Sequence, residues 1–273
     1  MRPENQLFHD NNLTLLHHLD NNFIDLIYID PPFNSGNDYK EFNDKWDDLF
    51  SYLLYLYPRF KEIHRTLRDT GTFYLHCDHS ADSYLKILCD FIFGIKHFMA
   101  AIPWFLGNPS GFKTQKKGWV RQHDIILVYT KSKEYTFNKQ YLPYNNEYLK
   151  KMFRYTDPNG RQYRKRRDDR QYLDESPGMV IGDLWYDILS FQTRTNAKEY
   201  TGYSTQKPEK LLERIILSSS NEGDLVADFF CGSGTSLVVA KKLKRKWLGC
   251  DKNQDAIEIT QKRIEAIDHF KIN

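Results

Sequence analysis

The sequence has few cysteines, and none of them lies in a metal-binding or redox motif. No two of the four, Cys77, Cys89, Cys231 and Cys250, form a CxxC pair. Structural zinc sites and thiol redox centres usually contain such pairs. Three histidines also lack ligand spacing and are expected to be ordinary hydrogen-bonded residues: His76, His79 and His123. We therefore expect no metal ion, and free thiols in a reducing compartment.

The sequence also lacks a long hydrophobic run and a strong charge of either sign. No apolar stretch approaches the roughly 18 residues of a membrane span, and the polar start Met1-Arg2-Pro3-Glu4-Asn5 begins no secretory signal. Lysine and arginine number 39 against 36 acidic residues, a net charge of +3. Hydrophobic residues make up 40%, which is typical of a folded chain. These features predict a soluble protein of the cytoplasm with no membrane partner.

Strand and helix patterns alternate over most of the 273 residues. The β-branched run at 23–29 is typical of a strand buried on both faces of a parallel sheet. Residues 224–230 and 246–250 are predicted as further strands, with helices between and after them. Residues 131–200 show little regular periodicity. The alternation predicts an α/β fold with a parallel sheet that carries an irregular insert.

A glycine-rich turn follows the strand predicted at 224–230. The segment that leads into the next helix is Asp228-Phe229-Phe230-Cys231-Gly232-Ser233-Gly234-Thr235, and backbone amides at that helix start would face a ligand. Asp251 ends the next strand, where an acid can accept hydrogen bonds from ribose hydroxyls. Leu237 stands where a dinucleotide fingerprint has its third glycine, and no Lys-Ser/Thr pair makes a P-loop. S-adenosylmethionine, which has no pyrophosphate, fits best, and a ligand-free turn is the alternative.

A second motif, Asp30-Pro31-Pro32-Phe33, follows the buried strand at 23–29. An exocyclic amino group on a base is a weak nucleophile, because its lone pair is delocalised into the ring. The Asp30 carboxylate and a backbone carbonyl, expected from Pro31, can hold both amino hydrogens and direct the lone pair at a methyl donor. The prolines fix the turn, and Phe33 offers a face for stacking an extruded base. For this motif alone, an ordinary turn is the alternative.

The two motifs, in this order, resemble those of the β-class, or permuted, DNA amino-methyltransferases. This type is also found as modification subunits of type III restriction systems and as orphan site-specific enzymes. Residues 26–36, 73–78, 123–129 and 205–209 are similar to further family segments, so the resemblance covers nearly the whole chain. It implies a permuted Rossmann-like, mostly parallel sheet with helices on both faces. It also implies S-adenosylmethionine as the cofactor and methyl transfer to the amino group of a flipped base.

The resemblance also implies an organisation and a set of site residues. It divides the chain into a catalytic half at 1–135, a target-recognition insert at 136–200 and a cofactor-binding half at 201–273. Asp10 would contact the cofactor across the permuted junction, and Lys207 would contact its methionine end. An aspartate at position 30 resembles the adenine-specific branch more than the N4-cytosine branch. The catalytic candidates are Asp30, Pro31, Pro32 and Phe33, and the cofactor-binding candidates are Asp10, Thr205, Gln206, Lys207, Asp228, Phe230, Cys231, Gly232, Ser233, Gly234, Thr235 and Asp251.

Basic residues concentrate in two stretches of the chain. Residues 161–170 hold six basic side chains against two acids. Such clusters suit phosphate contacts, although solvated loops can have the same composition. The candidates for DNA contact are Lys113, Lys116, Lys117, Arg121, Arg161, Arg164, Lys165, Arg166 and Arg167. DNA is the expected partner, and the resemblance adds a homodimer and a cognate restriction endonuclease as candidates.

Three other functions remain as alternatives. Amino-methyltransferases that act on RNA or on protein glutamine tend to place the glycine loop before an Asn-Pro-Pro-aromatic motif, which is the opposite order. A DNA-binding module without catalysis would not need both motifs intact. A dinucleotide-dependent oxidoreductase is disfavoured by Leu237. The sequence does not decide whether four tryptophans line a DNA cleft or pack in the core: Trp46, Trp104, Trp119 and Trp185.

Overall fold

A central sheet organises the first of two compact units. The computed structural model describes residues 1–36, 44–109, 111–167, 169–191 and 197–269. The first unit comprises Met1–Asn138 and Asp183–Asn273, and the second comprises Lys139–Gly182. Within these described ranges, no helix has both the length and the apolar composition needed to cross a membrane.

Strands and helices alternate, as the sequence predicts, in residues 6–93 and 209–269. The strands are β1 (Gln6–His9), β2 (Ile24–Ile29), β3 (Leu67–Cys77), β4 (Phe98–Phe105), β5 (His123–Thr130), β6 (Tyr141–Leu142), β7 (Tyr155–Thr156), β8 (Gln162–Arg166), β9 (Asp169–Tyr172), β10 (Met179–Val180), β11 (Leu225–Asp228) and β12 (Lys246–Asp251). The α-helices are α1 (Asn12–His18), α2 (Leu49–Thr66), α3 (Asp82–Phe93), α4 (Asn146–Met152), α5 (Glu209–Ser219), α6 (Thr235–Lys242) and α7 (Gln254–His269). Short 3₁₀ turns occupy Ile95–His97 and Gly111–Gln115.

The central sheet has the order β1-β12-β11-β2-β3-β5-β4. The first five strands in this order are parallel to their neighbours. Strands β5 and β4 extend the sheet in antiparallel pairing. Strand β2 lies in the middle, which is why its β-branched run is almost wholly buried. The predicted mostly parallel α/β sheet is confirmed, and the antiparallel end is an addition that the sequence pattern did not reveal.

Helices cover both faces of the sheet. On one face, Leu16 of α1 and Phe60 of α2 belong to the same buried cluster as Ile27 of β2. On the other face, the Tyr74 hydroxyl of β3 lies 2.8 Å from the Ser219 hydroxyl of α5. Gly249 of β12 faces α6 on that side, with no room for a Cβ beside Leu237. The fold therefore buries alternate residues of each strand under different helices.

The carboxyl ends of three parallel strands meet at one edge of the sheet. Strands β2 and β11 are direct neighbours, with Ile27 paired to Ala227. Asp30, which follows β2, therefore lies close to Asp228, the last residue of β11. Strand β12 pairs with β11 and ends at Asp251. Ligands of open α/β sheets bind at this edge, so the topology brings both sequence motifs to one place.

The second unit has more regular structure than its weak periodicity predicts. Strands β7, β8 and β9 form an antiparallel sheet, β6 pairs with β10, and α4 lies between β6 and β7. The strands have only two to five residues. Elements this short give little periodicity for a sequence pattern to show. The unit spans Lys139–Gly182, inside the insert expected at 136–200.

Candidate active site

A cavity of about 190 Å³ at the carboxyl edge is lined by both sequence motifs. Asp30 lies on its wall together with Gly232, so the two segments share one pocket. The predicted site residues that line it are Asp10, Asp30, Pro31, Pro32, Phe33, Thr205, Gln206, Lys207, Asp228, Phe230, Cys231, Gly232, Ser233, Thr235 and Asp251. The remaining candidate, Gly234, caps the start of α6.

The turn after Asp30 is fixed by residues that follow it in sequence. The buried Asp44 carboxylate accepts hydrogen bonds from the backbone N–H groups of Asn34 (2.7 Å) and Ser35 (3.0 Å). The Tyr52 hydroxyl of α2 donates to the Pro32 carbonyl at 2.8 Å. These contacts, together with the fixed φ of the prolines, hold Asp30 and Phe33 in place on the cavity wall.

The two carboxylate oxygens of Asp30 have different surroundings. The Lys207 ammonium donates to Oδ2. Oδ1 is buried and has no hydrogen-bond partner among the described residues. The nearest ring nitrogen, His76 Nδ1, lies 3.7 Å away, which is too long for a hydrogen bond. A buried acceptor without a donor is costly, and Asp30 is one of the residues that line the cavity.

The tautomer of His76 explains why it does not serve Asp30. Burial lowers the pKa of His76 to about 3, so the ring is neutral near pH 7. Its Nε2 lies 3.2 Å from the Asp124 carboxylate, which can only accept, so Nε2 carries the proton. Nδ1 then accepts from the Tyr28 hydroxyl at 2.9 Å. The prediction of an ordinary hydrogen-bonded histidine agrees with these contacts, and the structure adds its position beside Asp30.

The glycine loop needs glycine at position 234. Gly234 has a φ of 73°, in the left-handed region. A Cβ there would also lie 2.8 Å from the Cβ of Thr260 in α7. The Thr260 hydroxyl donates to the Gly232 carbonyl at 2.9 Å. The tight turn thus depends on close packing against α7.

Two carboxylates hold the loop backbone. Asp251 Oδ2 accepts from Gly232 N–H at 2.8 Å. Asp228 accepts from Phe230 N–H at 3.0 Å and from the Ser236 hydroxyl at 2.5 Å. Burial raises the pKa of Asp228 to about 7 and also raises the pKa of Asp251. The loop is therefore held by acids that its own strand ends provide.

Sequence reasoning missed several residues that support the cavity. The Arg59 guanidinium of α2 donates to Asn12 Oδ1 at 2.8 Å, and the Asn12 amide donates to the Phe229 carbonyl at 2.8 Å. Tyr203 lies 3.3 Å from the position of a Cβ on Gly232. These contacts join residues far apart in the chain, so no local pattern could have indicated them. The closest signal was the Asn11-Asn12 pair that follows Asp10.

Two buried cysteines, one of them in the glycine loop, are unsuited to nucleophilic chemistry. Cys231 and Cys77 are buried. Burial raises the pKa of both thiols well above the ordinary value, so neither becomes the reactive thiolate near pH 7.

The candidate DNA-contacting residues fall into two groups. Some are occupied by other side chains: Arg121 pairs with Asp78 and Asp124, Arg161 with Asp174 and Glu175, and Arg164 binds Gln171 and Tyr148. The others are exposed: Lys116, Lys117, Lys165, Arg166 and Arg167. The side chain of Lys113 lies outside the described part of the chain. The phosphate-contact hypothesis stays a prediction for all of them.

Comparison with known proteins identifies the family. The profile of the DNA methylase family N6_N4_Mtase matches residues 24–262. The chain is similar to the type II methyltransferase M.HpaI of Haemophilus parainfluenzae, with 32% identity over 96% of this chain and 75% of that protein. It is also similar to the DNA adenine methyltransferase YhdJ of Escherichia coli (strain K12), with 31% identity over 90% of this chain and 78% of the relative.

Solved structures support the same fold. The crystal structure of the M1.HpyAVI-SAM complex matches with a TM-score of 0.60 and 19% identity, covering 95% of this chain and 98% of that one. A cytosine-N4-specific enzyme, PvuII DNA methyltransferase, matches with a TM-score of 0.64 and 17% identity, covering 96% of this chain and 87% of the other. Since the profile match spans most of the sequence, the chain belongs to the N6_N4 DNA methylase family.

Proposed function

We propose that this chain transfers a methyl group from S-adenosylmethionine to the N6 amino group of adenine in DNA. The observation that carries the proposal is the shared cavity: Asp30, whose Oδ1 is buried and has no hydrogen-bond partner among the described residues, lines it together with the glycine loop. An amino hydrogen of a base would supply the donor that this oxygen lacks. The choice of adenine is supported by Asp30 itself and by the printed name of the relative YhdJ.

The residues of the glycine-loop side fit S-adenosylmethionine. Asp251 accepts one backbone hydrogen bond on each oxygen, at 2.8 Å and 2.9 Å, and each oxygen keeps a lone pair for a ribose hydroxyl. Because Gly232 has no side chain, the backbone of the loop itself forms this part of the cavity wall. Two structural neighbours are themselves complexes with this cofactor. When bound, the cofactor supplies an electrophilic methyl group on a sulfonium.

The side chains around Asp30 would orient the base. Asp30 Oδ1 would accept one amino hydrogen, and the Pro31 carbonyl is the proposed acceptor for the other. The Phe33 ring would stack on the extruded base. Lys207, whose ammonium lies 5.8 Å from the Phe33 ring centre, holds the other oxygen of Asp30. Positioning and fixed charge are the main sources of acceleration in this proposal.

The experiment that tests the proposal maps modified bases in DNA. DNA from cells expressing the chain would be digested and its nucleosides separated by mass spectrometry, with sequencing to locate the sites. We expect N6-methyladenine within one short sequence. N4-methylcytosine in its place would overturn the choice of base, and the absence of any methylated base would overturn the proposal.

The remaining partners stay predictions. A homodimer would appear by light scattering of the purified chain as twice its mass of 32.5 kDa. A cognate endonuclease would cut unmethylated DNA at the mapped sequence. Exposed Lys165, Arg166 and Arg167 are the proposed phosphate contacts of the second unit.

A further inference from the structure

The tryptophans of this chain differ sharply in exposure. Trp104 and Trp185 are 1% and 5% exposed and lie in the core of the first unit. Trp46 packs against Tyr52, with ring centres 5.0 Å apart. Trp119, in contrast, is 99% exposed. A wholly exposed indole buries no apolar area in folding and leaves both faces of its ring available to a partner.

Trp119 lies in a loop that projects from the active-site edge of the sheet. The loop joins β4 to β5, and its neck is closed by the Leu106 N–H, which donates to the Gln122 carbonyl at 2.8 Å. At this edge Cys77, the last residue of β3, pairs with Ile125 near the start of β5. Strand β2, which delivers Asp30, ends beside β3 at the same edge.

A short chain of contacts links this loop to the catalytic carboxylate. Arg121, two residues after Trp119, forms an ion pair with Asp124. Asp124 contacts His76 at 3.2 Å, and His76 Nδ1 lies 3.7 Å from Asp30 Oδ1. The base of the loop therefore lies close to the residues that surround Asp30.

The charge of the loop identifies the kind of partner. Residues 107–123 contain no aspartate or glutamate, and they contain four lysines and arginines. Lys116 and Lys117 are exposed beside the indole. A basic, acid-free loop suits a polyanion. An uncharged aromatic surface among these cations suits the face of a base, with which it can stack.

We propose that Trp119 stacks on the bases next to the extruded nucleotide of the DNA substrate and so stabilises the opened duplex. The inference rests on the proposed DNA adenine methylation. Extrusion of a base removes its stacking partners and leaves a gap that an inserted side chain can fill. The loop provides the indole, and its lysines neutralise the phosphates on either side.

The test compares Trp119→Ala with Trp119→Phe on two duplexes. One duplex carries the mapped target sequence, and the other carries a mismatch opposite the target adenine. We expect Trp119→Ala to slow single-turnover methyl transfer on the matched duplex roughly 10-fold to 100-fold. On the mismatched duplex the loss should shrink to a few-fold, because a mispaired base costs less to extrude. Trp119→Phe should remain close to the wild type on both.

A matched control is available away from the active-site edge. Phe91 of α3 is 78% exposed, and its helix runs back from the active-site edge. Phe91→Ala should leave transfer unchanged. Lys116→Ala with Lys117→Ala should lower the slope of affinity against salt, whereas Trp119→Ala should leave that slope intact.

Several results would overturn the inference. Equal losses on matched and mismatched duplexes would give Trp119 no part in base extrusion. Wild-type rates for Trp119→Ala would remove it from DNA binding, and loss of self-association in that variant without loss of transfer would make it a protein contact. Each of these leaves the proposed function standing. A wild-type chain that methylates neither duplex would instead overturn the proposed function.

Discussion

The two motifs that line the cavity differ in where their hydrogen-bond partners come from. In the glycine loop, Asp251 and Asp228 bind backbone groups of Gly232 and Phe230, and all four residues lie within or just after β11 and β12. At the other motif, Asp30 is held by Lys207, which is distant in sequence. The two carboxylates of the glycine-loop side, the proposed binding side, thus bind groups at neighbouring strand ends, whereas the carboxylate of the proposed catalytic side is held by a residue from a distant part of the chain.

The difference has a chemical consequence. In the glycine loop every carboxylate oxygen of Asp228 and Asp251 accepts a hydrogen bond from the chain itself. Asp30 keeps Oδ1 buried and unpartnered among the described residues. In a loop that only binds a ligand, the carboxylates can already have hydrogen-bond partners before the ligand arrives. A group that orients a reacting atom must instead keep an acceptor free for that atom. The comparison predicts different responses to mutation on the two sides.

The largest expected effect is the loss of the free acceptor. Asp30→Asn keeps the size of the side chain but can present an N–H where the carboxylate accepts. We expect kcat for methyl transfer to fall at least roughly 10²- to 10³-fold. The dissociation constant of S-adenosylmethionine, measured by calorimetry, should change less than about twofold, since the glycine loop is untouched. Near-normal turnover by this variant would remove Asp30 from the mechanism.

The binding side should fail in the opposite way. Gly234→Ala adds a Cβ at a φ of 73°, 2.8 Å from the Cβ of Thr260. We expect the free energy of unfolding to fall by about 2–5 kcal/mol and cofactor binding to weaken. Gly223→Ala is the control, because its φ is 85° and nothing lies within 4 Å of the added carbon.

The control variant separates the effect of backbone strain at a positive φ from the effect of steric contact between the added Cβ and α7. Gly223→Ala should lower the free energy of unfolding by about 1–2 kcal/mol and leave cofactor affinity unchanged. Urea unfolding and calorimetry would measure both quantities. If the two variants lost equal stability and both bound cofactor normally, close packing against α7 would not determine the shape of the loop.

The same local-versus-distant contrast explains what could be predicted from sequence. Asp30, Gly232 and Asp251 each follow a strand that its apolar run reveals, and parallel strands deliver their ends to one edge. The parallel sheet and the shared pocket were therefore predictable. His76 and Arg59 act through contacts with residues on other strands and helices, for which one sequence offers no pattern. The short strands of the second unit could not be predicted for a different reason: a strand of two to five residues shows no clear hydrophobic period.

Lys207 could act on either side of the cavity, on the cofactor or on Asp30. The resemblance implies contact with the methionine end of the cofactor, whereas the structure pairs its ammonium with Asp30. Lys207→Met removes the charge, and Lys207→Arg keeps it. If the pairing with Asp30 matters, Lys207→Met should lower kcat roughly 10-fold with little change in cofactor affinity.

Lys207→Arg should then recover part of the lost turnover. Single-turnover rates and calorimetric titration with S-adenosylmethionine distinguish the two roles. A weaker cofactor affinity at unchanged kcat would assign Lys207 to the methionine end and not to Asp30.

The smallest expected effect concerns the pH dependence of stability on the binding side. Burial raises the pKa of Asp228 from 3.8 to about 7. Between about pH 4 and pH 7 the folded chain therefore holds a proton that the unfolded chain has lost. The resulting stabilisation is fully present below this window and is lost as the pH rises through about 7. Asp228→Asn cannot ionise, so its melting temperature relative to the wild type should increase from pH 5 to pH 8.

The pH dependence of His76 has the opposite sign and must be kept separate. Burial lowers the pKa of His76 to about 3, so stability from this group falls as the pH drops below about 6.5. Subtracting wild-type from Asp228→Asn melting temperatures removes that contribution, because both proteins contain His76. A flat difference for Asp228→Asn would mean that Asp228 is ionised in the folded loop throughout this range.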